Sequence, residues 1–285
     1  MGFFGFGNYN KEGPGISKDA PKKRTFVVFF ETFFRNFWKF APISAIYTIF
    51  CLPIITHGLA SVGMTNVARN TARDKHSFGI SDFFETIKKN WKQALLAGII
   101  NTVVYGFLIY DVFFFFGSDS TFYSAALGII LSMLVIFTMM NYYIWTLMIT
   151  FKFTLKQIYK NSFKFVFINM KGNLLCFFIE AVIIALYIGI LFLFSSQFGL
   201  VLTLEMFAFV FTFPSVKFLL EQYIVFPAIK KHIIDPYYEA HPDEDIEKRR
   251  NLGLYNPEED EEDEENAEDD DDRVFNDNII DKDSI

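Results

Sequence analysis

Five charged side chains stand inside long apolar stretches of this sequence, and three of them, Glu180, Lys217 and Glu221, lie toward the same ends of those stretches. Charge is costly in hydrocarbon, so each is a functional hint by default. Lys217 and Glu221 are four residues apart and share one helix face. Glu180 lies about two turns into its own stretch, at a similar depth. The three predict a polar cluster facing the interior of a helix bundle. An interhelical ion pair that fixes register is the plainer role, and a substrate or ion site is the sharper one. Snorkelling to the headgroups without partners is a third. Pro214, three residues before Lys217, would kink the helix and free a carbonyl nearby.

Other residues offer less chemistry. Asn101 and Asn141 are mid-span amides of the kind that bond across to a neighbouring helix. Asp111 and Glu205 fall nearer the outer face. Lys152, Lys156, Lys160 and Lys164 recur every four residues and form a basic stripe on one side of a helix. The stripe serves either to hold anionic headgroups or to dock an acidic partner. Pro53, Thr56, His57 and Gly58 mark a turn, with His57 in a capping or turn role rather than a metal-binding one. His76, His232 and His241 are scattered, and Cys51 and Cys176 both lie in apolar runs, so neither a metal site nor a disulfide framework is expected. There is no Walker loop, no G-x-S-x-G, no H-E-x-x-H and no dinucleotide fingerprint. The expectation is a protein that is not an enzyme and takes no cofactor. An intramembrane enzyme would need a water-accessible pair of acids or a metal site, which the sequence lacks.

The elements that must position these residues are set by composition. Of 285 residues 52% are hydrophobic, 19% are aromatic and 38 are Phe, which excludes an ordinary water-soluble domain. A helix needs about 20 apolar residues to cross a hydrocarbon core of about 30 Å. The stretches 94–116, 122–150, 173–195 and 200–227 meet this. The uncharged stretch 40–68 is interrupted by Pro53 and Gly58. Basic residues crowd 69–92, 151–172 and 230–231, while the turns at 117–121 and 196–199 carry no Lys or Arg. By the positive-inside rule the basic segments are cytoplasmic. The first stretch also has basic flanks on both sides, so residues 26–73 are read as a membrane hairpin, with Arg69 and Arg73 snorkelling outward. Five spans with the N-terminus outside is the alternative. The fold class expected is all-α, a polytopic bundle of one hairpin plus four long spans, both termini cytoplasmic.

Two flanking segments read as interfacial. Apolar residues at 26, 29, 30, 33, 34, 37 and 40 define one. In the other, 81–92, Phe83, Phe84, Ile87 and Trp91 oppose Asp82, Glu85, Lys88, Lys89 and Lys92. Asp82 and Glu85 fit a helix-start box. Residues 1–25 read as a flexible arm without a cleavable signal peptide, and 233–255 as a cytoplasmic extension. Residues 258–272 hold 13 acids in 15 positions, so 256–285 reads as a disordered acidic tail. That tail would repel phosphate, and nucleic acid is not an expected partner.

The chain resembles the YesL-like family of bacterial integral membrane proteins, a domain of unknown function. The likeness rests on Phe34-Arg35-Asn36-Phe37-Trp38-Lys39, on Leu52-Pro53-Ile54-Ile55-Thr56-His57-Gly58, and on Ser81-Asp82-Phe83-Phe84 with Lys89-Asn90-Trp91. Asn8 to Gly15 and Glu247 to Tyr255 resemble a longer subgroup. His57 and Leu59 depart from the family, where an apolar residue and Pro are more usual. The resemblance implies the bacterial cytoplasmic membrane. Because such genes often neighbour those for polysaccharide breakdown and sugar import, it also implies an accessory role in carbohydrate uptake. The partners expected are the lipid bilayer and a sugar ABC transporter or another membrane protein. A small-solute transporter or channel, with Glu180, Lys217 and Glu221 lining its path, is the rival. The resemblance carries over no catalytic residue.

Overall fold

The structure is a computed structural model describing residues 25–75, 77–117, 120–193 and 198–240. The N-terminal arm, His76, His241, the rest of the extension and the acidic tail lie outside the described residues. Among those described every regular element is helical: α1 (Thr25–Arg35), α2 (Phe37–Cys51), α3 (His57–Ala72), α4 (Ile80–Phe115), α5 (Thr121–Thr150), α6 (Leu155–Ile168), α7 (Met170–Leu193), α8 (Phe198–Ile229), then a π-helical turn (Lys230–Ile234) and α9 (Asp235–Ala240). Four rods are long and apolar enough to cross a membrane: α4, α5, α7, and α8 with its continuation. At 1.5 Å per residue α4 runs about 54 Å, well beyond a hydrocarbon core of about 30 Å.

The hairpin stretch forms α1, α2 and α3. Asn36 separates the first two, its carboxamide donating to the Thr32 carbonyl at 2.9 Å. Between α2 and α3 the backbone turns through Ile54 at φ +42°. The Thr56 hydroxyl donates to the Phe50 carbonyl, and His57 Nδ1 lies 2.8 Å from the Ile54 carbonyl. That holds the turn from inside. Helix α3 is rich in small and polar residues, yet it is the most buried element and packs on α2, α4, α5 and α8. Small residues permit this: a Cβ on Gly58 would run into the Ala94 carbonyl and come within 2.8 Å of Gly98 Cα. With no hydrophobic drive between helices in lipid, such close backbone approach is what lets them associate.

Three details differ from the sequence reading. The interfacial segment 81–92 and the span 94–116 are one unbroken helix, α4, because Lys92-Gln93-Ala94 contains no helix breaker. Asp82 sits three residues inside α4 behind Gly79 and accepts the Phe78 N–H at 3.0 Å, while Glu85 pairs with Lys89 at 2.9 Å rather than closing a helix-start box. Arg69 does not snorkel. Only 5% of it is exposed, because Asn66 and Thr150 offer it acceptors inside the bundle.

Candidate functional site

The packed end of the bundle holds its charged residues in one neighbourhood. On α8, Lys217 and Glu221 form an ion pair, their four-residue spacing placing the ammonium over the carboxylate. On α7, Glu180 is buried and faces the same interior. Its carboxylate takes a hydrogen bond from the Tyr142 hydroxyl of α5 at 3.1 Å, and Cys176 Sγ lies 3.7 Å away, one turn earlier on α7. The Tyr142 ring also faces Lys217, whose Nζ is 5.7 Å from its centroid and 4.7 Å from that of Phe218. Tyr142 therefore joins the two parts, giving Glu180 a proton donor and Lys217 an aromatic wall. Glu221 is 1% exposed, whereas 28% of the Lys217 side chain remains accessible.

Three further polar sets surround this cluster. Ser44 of α2 bonds to Ser215 of α8, the residue directly after Pro214. Arg69 of α3 donates to Thr150 at 3.0 Å, and Gln222 of α8 donates to Thr146 at 3.0 Å, so α3, α5 and α8 are laced together below the ion pair. Asn101 donates to Asn141 across α4 and α5 at 2.6 Å, and the Tyr159 hydroxyl of α6 donates to Asn101 at 2.6 Å. Burial pushes the Tyr159 hydroxyl above its ordinary value, which keeps it a neutral donor there.

Lys152, Lys156, Lys160 and Lys164 are all exposed along α6 and the approach to it. Phe163, Phe167 and Ile168 stand exposed on the same short helix. Its start is fixed by Thr154 and Gln157, which satisfy each other's free groups. At the hairpin turn His57 is half-buried against Trp145, with ring centroids 6.1 Å apart. Pro53 is exposed and Gly58 buried. No group of three or more His, Cys, Asp or Glu suited to a metal ion exists among the described residues.

Sequence reasoning placed Glu180, Lys217 and Glu221 together but passed over Tyr142, Cys176 and Gln222. Cys176 stands four residues before Glu180, and Gln222 follows Glu221 directly, so both carried a signal. Tyr142 carried none, since one tyrosine in an aromatic-rich span looks like any other.

No curated protein and no solved structure matches the chain. Residues 43–112, well under half of the chain, match the family model described as "Protein of unknown function, DUF624". They take in the Leu52–Gly58 turn, Ser81–Phe84 and Lys89–Trp91. Over α3 and most of α2 and α4, then, this multi-pass membrane protein is similar to a domain family that has no assigned activity.

Proposed function

We propose that the chain is a non-enzymatic accessory protein of the bacterial cytoplasmic membrane that docks another membrane protein, with a carbohydrate importer the partner class. Both termini and the basic connectors face the cytoplasm in this reading, as the distribution of Lys and Arg favours. The observation that carries it is the internal pairing of the intramembrane charges. Glu221 is matched by Lys217, and Glu180 by Tyr142 and Cys176. A translocation path needs polar groups open to a cavity. Neither the 430 Å³ groove on the outer part of α8 nor the 100 Å³ pocket beside Arg69 includes any of the three charged residues. The exposed lysines of α6 and the aromatic outer faces are then the surfaces left for lipid and partner.

A second reading, a small-solute transporter or channel, draws on the accessible part of Lys217 and on the cluster's two carboxyl groups for one ammonium. One experiment separates the two. Tagged protein is captured in mild detergent from sugar-grown and glucose-grown cells, and the purified protein is tested in vesicles for solute uptake. Specific recovery of importer subunits from sugar-grown cells, with inert vesicles, is the result expected. Lipid and chaperones alone in the capture, with uptake that Glu221→Gln abolishes, would overturn the accessory reading.

A further inference from the structure

Helix α6 gives one face to the bundle and leaves the other open. Ile158, Ser162, Phe165 and Val166 are buried. At about 100° per residue Lys156, Lys160 and Lys164 fall on the opposite side, with Phe163 and Phe167 exposed among them. Lys152 continues the row ahead of the helix.

This face is basic throughout. Residues 151–172 contain five lysines and no acid. The other long basic connector, 69–92, mixes six basic residues with Asp74, Asp82 and Glu85, and there Lys89 pairs with Glu85 and Asp74 with Arg35. Among the described residues the four lysines of the row make no ion pair. Like charges at four-residue spacing repel one another, so a polyanion laid along them relieves the helix as well as binding it.

The chain carries such a polyanion. Residues 258–272 hold 13 acids in 15 positions and no base, and Val274, Phe275, Ile279 and Ile280 follow, a match for the exposed Phe163 and Phe167. The run lies outside the described residues, but the place the chain departs from is fixed. The π-helical turn Lys230–Ile234 packs beside α6, the rings of His232 and Phe165 being 6.5 Å apart. Beyond it Ile233, Ile234 and Tyr238 are buried. Seventeen residues, 241–257, separate Ala240 from Glu258. They can span at most about 60 Å, against about 21 Å for the whole of α6. Lys248, Arg249 and Arg250 are nearer in sequence, but Asp243, Glu244, Asp245 and Glu247 beside them already match their charge. A tether of this length presents the run to α6 at an effective concentration on the order of millimolar. Anionic headgroups compete for the same face, yet each brings a single phosphate where the run brings many carboxylates.

We propose that the acidic run 258–272 docks on the Lys156–Lys160–Lys164 face of α6 in its own chain and shields that face. The docking goes beyond the accessory reading and does not depend on it. What it regulates is access to a surface which that reading leaves for lipid and partner.

The full chain in neutral detergent is treated briefly with an amine-acylating reagent, and the rate at each lysine is read by mass spectrometry. A lysine peptide added to every sample calibrates the reagent. The comparison is a full-length variant in which the acids of 258–272 become amides, from Glu258→Gln to Asp272→Asn, all outside the packed bundle. At ~0.1 M salt, where charges act over about 10 Å, Lys156, Lys160 and Lys164 should react about threefold or more slowly in the wild type. At ~1 M, where that range is about 3 Å, the two proteins should converge. The difference should survive about tenfold dilution of the protein, as a contact within one chain does. It should also persist in vesicles containing phosphatidylglycerol. Equal rates in detergent overturn the proposal. So does a difference lost on dilution, which assigns the contact to a second copy, or equal protection of both proteins in the vesicles, which assigns the face to headgroups. Salt-dependent protection in a protein that captures no importer keeps the docking and removes only the accessory reading.

Discussion

Every residue of α5 from Tyr142 to Thr150 is buried, whereas between Thr121 and Thr138 only Ile130 is. The same break recurs in α7, whose buried residues are Asn173, Cys176 and Glu180, all in its first half. In α8 it falls at Pro214, before which no residue from 199 onward is buried. One end of the bundle is therefore a packed polar interior, and the other is a set of helices with Phe107, Phe113, Phe192 and Phe207 facing outward. Apolar content does not separate the two ends. Small and hydrogen-bonding residues do, because in lipid a helix gains nothing by burying Phe against Phe rather than against acyl chains, while a polar group must find a partner.

The ion pair is the strongest test of that contrast. Lys217→Met leaves Glu221 buried without its counter-charge, and the expected loss is about 3–5 kcal/mol of stability. Adding Glu221→Leu should restore most of it. Unfolding of the purified protein in mixed detergent micelles, followed by helicity, measures both. A single variant as stable as the wild type would show that the packed end does not depend on its charges.

Glycine gives a comparison of opposite sign. Gly58→Ala forces α3 away from α4 and should cost about 1–3 kcal/mol. Gly128→Ala, on the open half of α5 with nothing within 4 Å, should be neutral or stabilise by about 0.5–1 kcal/mol. The same unfolding assay reads both, and equal effects would erase the difference between the halves.

The sequence carried the four long helices openly, since 20 apolar residues in a row have few other uses. It also carried the turn near Pro53 and the four-residue spacing that pairs Lys217 with Glu221. It did not carry the burial of α3. That helix is weakly apolar, and its role comes from the small residues Gly58, Ala60, Ser61 and Gly63, whose value depends on what stands opposite. Arg69 was misplaced for the same reason: from the sequence it is one turn from the end of a span and free to snorkel, and only the facing Thr150 turns it inward. The continuity of α4 was hidden because its amphipathic start and apolar remainder suggest two environments, though one rod can pass through both.

The amide bridge is worth less than the ion pair. Asn101→Leu removes the donor to Asn141 and the acceptor for Tyr159. Interhelical hydrogen bonds in membranes contribute about 0.6 kcal/mol on average and up to about 1.7. A loss within that range is expected, and pairing it with Asn141→Leu in a double-mutant cycle isolates the bridge from the packing.

The smallest effect belongs to the open half. Phe207 lines the groove on α8 with Leu202, Met206, Val210 and Phe211, and two-thirds of it is exposed. If acyl chains or detergent fill that groove, Phe207→Ala exchanges one apolar surface for another, and stability should change by less than about 0.5 kcal/mol. A protein partner seated in the groove would respond differently, because truncating a buried aromatic anchor typically costs about 2 kcal/mol or more of binding. The same substitution should therefore leave the isolated protein untouched while reducing capture of its partner from membranes. A loss of stability in the isolated protein would mean that the outer helices pack on one another after all, and the division between a polar interior and a lipid-solvated end would fail there first.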